Sequence, residues 1–202
     1  MNIVERAKNI LLTPQKEWDV IKGENTTVMD LFTKYAIILA AIPAIAGFIG
    51  FALIGVTIFG GTFRYPIGPA LVWAALTYVL GLIGIYILAL IVDTLAPSFG
   101  AKKDFISSLR AVVYSYTASW VAGIFLLIPS LSVISAIAGI YSLVLLYLGI
   151  KKLKDPPADK MVGYYVVTLI VALVVYFIIG YLVTRVAFGA SLYGLGGLGR
   201  GF

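Results

Sequence analysis

The chain contains no cysteine and no histidine. Disulfides, thiolate nucleophiles and Cys/His metal sites are therefore excluded, as is an imidazole proton shuttle. Charge is also scarce, at 12% of residues against about 25% in ordinary soluble domains. Whole stretches have none: no ionisable Asp, Glu, Lys or Arg lies between Lys34 and Arg64, between Arg64 and Asp93, from Ala111 through Ile150, or from Met161 through Thr184. Proton- and ion-coupled transporters usually keep such groups at mid-membrane depth despite their cost. Hydrolases need paired carboxylates, a base or a metal. These absences point away from an enzyme and from a bound cofactor.

What remains is apolar. Of the 202 residues 61% are hydrophobic, and the mean hydropathy is +1.05. Apolar runs longer than about 18 residues recur, which is the signature of membrane spans. The expected fold class is all-α: a polytopic membrane protein with five transmembrane helices preceded by one or two short amphipathic surface helices. The spans are expected at Tyr35–Phe59, Ile67–Val92, Phe105–Ile128, Leu131–Ile150 and Met161–Val183, with Pro43 kinking the first. Pro129 and Ser130 leave so short a connection that spans three and four form an antiparallel hairpin. Three regions follow: a cytoplasmic amphipathic segment (1–34), the five-span domain (35–185) and a glycine-rich flexible tail (186–202).

In the first region, Ile3, Val4, Ala7, Ile10 and Leu11 recur at helical spacing. Thr13 and Pro14 then open a second short helix, in which Trp18 and Ile21 share a face and which Gly23 ends. Nothing here has the apolar core of a cleavable signal peptide. Both helices are expected to lie on the membrane surface, apolar face down.

The basic residues orient the chain. With an odd number of spans, all fifteen Lys and Arg except Arg64, Arg185 and Arg200 fall on the side of the N-terminus. The positive-inside rule puts that side in the cytoplasm and the C-terminus outside. The net charge of +6 is thus a topology signal and an attraction to anionic inner-leaflet lipid. It is not a nucleic-acid footprint, because no basic stripe lies on a soluble fold. The inner-face contact candidates are Trp18, Lys102, Lys103, Lys151, Lys152 and Lys154.

One stretch, "LRAVVYSYTASWVAGIF" from Leu109 to Phe125, is unusually rich in hydroxyls. Ala111, Ser115, Ala118, Ser119 and Ala122 form a stripe of small residues, which lets helices approach closely while hydroxyls bond across. Tyr114, Tyr116 and Thr117 flank it, and Tyr141 faces it from the next span. Arg110 either reaches the headgroups or pairs with Asp93 at the same membrane face. This seam of Asp93, Arg110, Tyr114, Ser115, Tyr116, Thr117, Ser119 and Tyr141 reads first as packing and second as the lining of a small cavity. Gly194, Gly196 and Gly199 match a dinucleotide-type glycine spacing, but they follow a span rather than a strand, so they are low-complexity sequence.

Two segments carry a family resemblance. "LLTPQKEWDVIKGE" resembles the opening of Yip-domain membrane proteins, the family named for interacting with Ypt/Rab GTPases. In the second half, Tyr114-Ser115, Ile128-Pro129, Tyr141-Ser142 and Tyr147-Leu148-Gly149 are similar to that family's recurring positions. Ala118 stands where the family has proline, which implies a straighter third span. The acidic-aromatic-glycine-proline motif of eukaryotic members is missing, although Asp30-Leu31-Phe32 stands nearby. The resemblance runs from about Ile10 to Val183. It implies five spans, a cytoplasmic N-terminus and the prokaryotic branch, in which Rab partners are not expected. It carries over no catalytic residues. The function expected is that of a membrane scaffold or adaptor whose inner face meets protein partners or anionic lipid, with self-association compatible. The alternative is a transporter or channel for a small neutral or lipidic solute.

Overall fold

The computed structural model describes residues 2–58 and 61–197. Two short helices, α1 (Ile3–Leu12) and α2 (Pro14–Lys22), precede five long apolar ones. These are α3 (Val28–Ile54), α4 (Ile67–Phe99), α5 (Phe105–Leu127), α6 (Pro129–Leu153) and α7 (Ala158–Gly197). All five are long and apolar enough to cross a membrane. The chain is an all-α polytopic membrane protein, and its exposed apolar flanks meet lipid.

The first span begins at Val28, with Thr27 and Asp30 forming a reciprocal capping box. It ends at Ile54, short of the expected Phe59, which lies outside the described residues. Gly55 (φ +91°) reverses the chain, because the left-handed region costs glycine nothing. A small antiparallel pair follows, β1 (Val56–Ile58) and β2 (Gly61–Phe63), with Val56 opposite Phe63. Pro43 sits inside α3 as expected, and Gly123 accommodates it: a Cβ on Gly123 would stand 2.5 Å from Pro43 Cβ.

Helix α5 is central. Every residue from Ser107 through Ser115 is buried, because α3, α4, α6 and the N-terminal helices surround it. It is not straight. The α-helix stops at Ser115 and resumes at Thr117, and the last turn, Gly123–Leu127, tightens to a 3₁₀ helix. The cause is hydroxyl back-bonding, which competes with the helical ladder: Ser115 Oγ donates to Val112 O and Thr117 Oγ1 to Tyr114 O, each at 2.7 Å.

Helices α4 and α7 pack antiparallel along most of their lengths. The Tyr164 hydroxyl donates to Val92 O, and its ring stacks on Phe99 at 5.3 Å. Helix α7 continues through Gly197, well past the expected end at Val183. The flexible tail expected from residue 186 is therefore helical as far as 197, since extending a formed helix is far easier than starting one. Residues 198–202 lie outside the described residues.

The N-terminal pair does not lie loosely on a membrane. Its apolar face (Ala7, Ile10, Trp18, Ile21) is buried against α5 and α6. The expectation of that face turned to lipid is overturned, because α5 and α6 offer it a closely packed protein surface.

Candidate functional site

Most hydroxyls of the seam are engaged in internal bonds. Ser119 Oγ and Ser142 Oγ lie 2.8 Å apart, and Ser142 Oγ also accepts from Ser119 N at 3.1 Å, joining α5 to α6. Thr117 Oγ1 lies 2.8 Å from the Tyr35 hydroxyl of α3. Tyr141 OH donates to Leu11 O at the end of α1, at 2.9 Å. Tyr114 is fully buried, with its ring edge-on to Tyr35 at 4.9 Å. Beside Ser115, Tyr116, Ser119 and Ser142 runs a groove of about 340 Å³ between α5, α6 and α7, whose other walls include Leu88 and Leu169.

At one end of the bundle the polar residues gather differently from the sequence expectation. Asp93 and Arg110 do not pair. Asp93 Oδ1 instead accepts from Lys154 Nζ (3.0 Å), Ser108 Oγ (3.2 Å) and Asp104 N (2.7 Å). Lys154 Nζ also donates to Asp104 O at 2.9 Å. One buried carboxylate thereby ties α4, the start of α5 and the end of α6. Burial pulls the Lys154 ammonium below its ordinary value of 10.5, against the opposing pull of Asp93. Asp104 caps α5, its Oδ1 accepting from Ile106 N and Ser107 N. Burial opposes its charge, but Ser107, the cap amides and Lys154 outweigh that and hold its pKa below 3.8.

Arg110 is buried and reaches the N-terminal pair. Its guanidinium donates to Ile21 O and Glu24 O, each at 2.7 Å, and to Ser107 Oγ at 3.0 Å. A cation on carbonyls at the C-terminal end of α2 meets the negative end of its dipole. Its guanidinium is engaged by those carbonyls and by Ser107. Arg6, also buried, is ion-paired with Glu17 and Glu24 and lies over the Tyr114 ring at 5.4 Å.

The inner-face candidates divide. Lys102, Lys103 and Lys151 are exposed. Lys152 is tied to Asp19. Lys154 is buried on Asp93, and Trp18, 1% exposed, packs on Gly149. The last two are structural, because long side chains at the bundle's end fold inward wherever a partner waits there. Sequence reasoning missed Arg6, Glu17, Glu24, Tyr35, Asp104 and Ser108. The available signal was Arg6 itself, next to Ala7 and four residues before Ile10 on the apolar side of α1. Among the described residues no three or more carboxylates come close enough to hold a metal ion.

Fold and polar contacts together define a class: a five-span helical membrane protein with an amphipathic N-terminal pair locked to one end of its bundle. The chain belongs to the Yip1 domain family, whose sequence profile matches residues 8–195. Over 141 residues, covering 68% of this chain and 72% of the relative, it is 28% identical to inner membrane protein YohC of Escherichia coli K12. The same figures hold for the protein of that name in Escherichia coli O6:H1. No solved structure matches it.

Proposed function

We propose that the protein is a non-catalytic scaffold or adaptor of the Yip type in a prokaryotic plasma membrane. The N-terminus and basic loops face the cytoplasm and the C-terminus faces outward. Support for the compartment comes from the inner membrane relative, and for the orientation from the charge asymmetry. The observation that carries the reading is the locked end of the bundle. Arg6, Arg110 and Lys154 are each used to hold helices together. Lys102, Lys103 and Lys151 stay exposed and carry no ion pair among the described residues. A rigid platform with free cations suits contact with anionic lipid or an acidic protein surface.

The test is a Lys102→Glu, Lys103→Glu, Lys151→Glu variant. Anionic lipid retained through purification, and protein partners recovered by cross-linking, should fall against wild type at equal thermal stability. Unchanged recovery of both refutes the reading. A second reading, transport of a small neutral or lipidic solute, draws on the groove beside Ser119 and Ser142. Against it stands the engagement of both hydroxyls with each other. Solute flux in liposomes that is lost on Tyr116→Phe at unchanged thermal stability would favour it.

A further inference from the structure

The α1–α2 hairpin has two faces, and only one is used by the bundle. The other carries Val4, Leu12 and Val20, which are 71%, 69% and 54% exposed. Lys8 and Lys16, both exposed, lie between them. An amphipathic pair in water would turn polar residues outward and bury these three. Here the outward surface carries these three aliphatic side chains beside Lys8 and Lys16, with the exposed carboxylates, Glu5 and Asp19, lying away from the tip.

The position of the hairpin says what meets it. Its tip, "NILLTPQ" from Asn9 to Gln15, has no charge. The Leu11 carbonyl at this tip accepts from Tyr141. Tyr141 is deep in α6: at about 1.5 Å of rise per residue it stands about 18 Å from Leu153 along the helix axis. Further along the hairpin Trp18 lies on Gly149, and Asp19 meets Lys152. The pair thus enters from the lysine-rich end of α6, tip first, toward mid-span. Beside Tyr141 on α6, Ile140, Leu143 and Val144 are exposed apolar residues of a spanning helix. The outward surface of the tip continues that lipid-facing surface.

We propose that the α1–α2 hairpin is a wedge in one leaflet, its occupant being bilayer lipid. Leu12, at the tip, contacts acyl chains, and Val4 and Val20 lie nearer the headgroup boundary. Lys8 and Lys16 extend back to lipid phosphates, as long basic side chains do at such interfaces. The contact belongs to the fold and does not depend on the scaffold reading.

The absence of cysteine makes the test direct. The full-length chain with Leu12→Cys, and separately with Lys22→Cys, is labelled with a small fluorophore and reconstituted in phosphatidylcholine–phosphatidylglycerol vesicles. Quenching by acyl-chain nitroxide lipid is compared with quenching by iodide. The label at position 12 should be quenched about threefold more by the lipid nitroxide than the label at position 22, with the order reversed for iodide. If Leu12→Cys does not fold, Thr13→Cys, also exposed, replaces it. Equal iodide quenching at both positions, or protection of position 12 from both quenchers, overturns the proposal. The first outcome places the tip in water and the second against protein.

Discussion

The indole of Trp18 fills the space that a side chain on Gly149 would need. A Cβ built there would stand 2.8 Å from Trp18 Cη2 and 2.9 Å from Cζ2. Position 149 is near the end of α6 and Trp18 is in the middle of α2, so this contact sets how closely the N-terminal pair docks. Gly149→Ala should force the indole out, at a cost of about 1–3 kcal/mol. Trp18→Ala should cost about 3–5 kcal/mol through the cavity it leaves. Thermal unfolding in detergent checks both. The double variant should cost less than the sum, because without the indole the new methyl group meets no clash.

Lys154 and Asp93 form the other clamp. Removing the lysine alone leaves a buried carboxylate without its counter-charge. Lys154→Ala should therefore destabilise by about 3–5 kcal/mol, and Lys154→Met with Asp93→Asn by clearly less. Equal losses for the two, measured by denaturant unfolding, would mean that the ammonium does not compensate the carboxylate.

Arg110 tests whether geometry or charge alone holds the hairpin. Its guanidinium bridges two carbonyls and a serine hydroxyl, and an ammonium cannot span that set. Arg110→Lys should loosen the N-terminal pair selectively. Limited proteolysis ahead of Val28 should accelerate while the spans remain resistant.

Asp104 gives a pH prediction. Its folded pKa lies below 3.8, so its contribution to stability is complete above that value. It is lost as pH falls through the lower folded value. The carboxylate is largely exposed and the effect is correspondingly small. Asp104→Asn keeps a capping side chain and should lower stability near pH 6 while having no effect once the wild-type carboxylate is protonated. Melting temperatures of both proteins across pH 6 to 3 should converge toward the acid end.

Five spans, their order and the short turn at Pro129 were legible because hydropathy and helix breakers are local properties of the chain. The small-residue and hydroxyl stripe in α5 was legible for the same reason; the partners of its hydroxyls, Ser142 for Ser119 and Tyr35 for Thr117, come from other helices. The break after Ser115 was not. It depends on which acceptor each hydroxyl selects, and periodicity carries no information on that. The charged pairings were read least well. Asp93 and Arg110 stand at the same end of neighbouring spans, yet the counter-charge of Asp93 comes from Lys154 and Arg110 takes carbonyls of the N-terminal pair.

By itself the sequence determined that this chain crosses a membrane five times, since the cost of burying charge and backbone in lipid acts on every residue wherever its neighbours are. Only the tertiary structure decided that Arg110 holds α2, that Lys154 holds Asp93 and that Trp18 seats on Gly149. Those contacts join residues 61 to 131 positions apart in the chain. Which of several compatible partners a side chain takes depends on the approach of whole helices, a quantity no local pattern encodes.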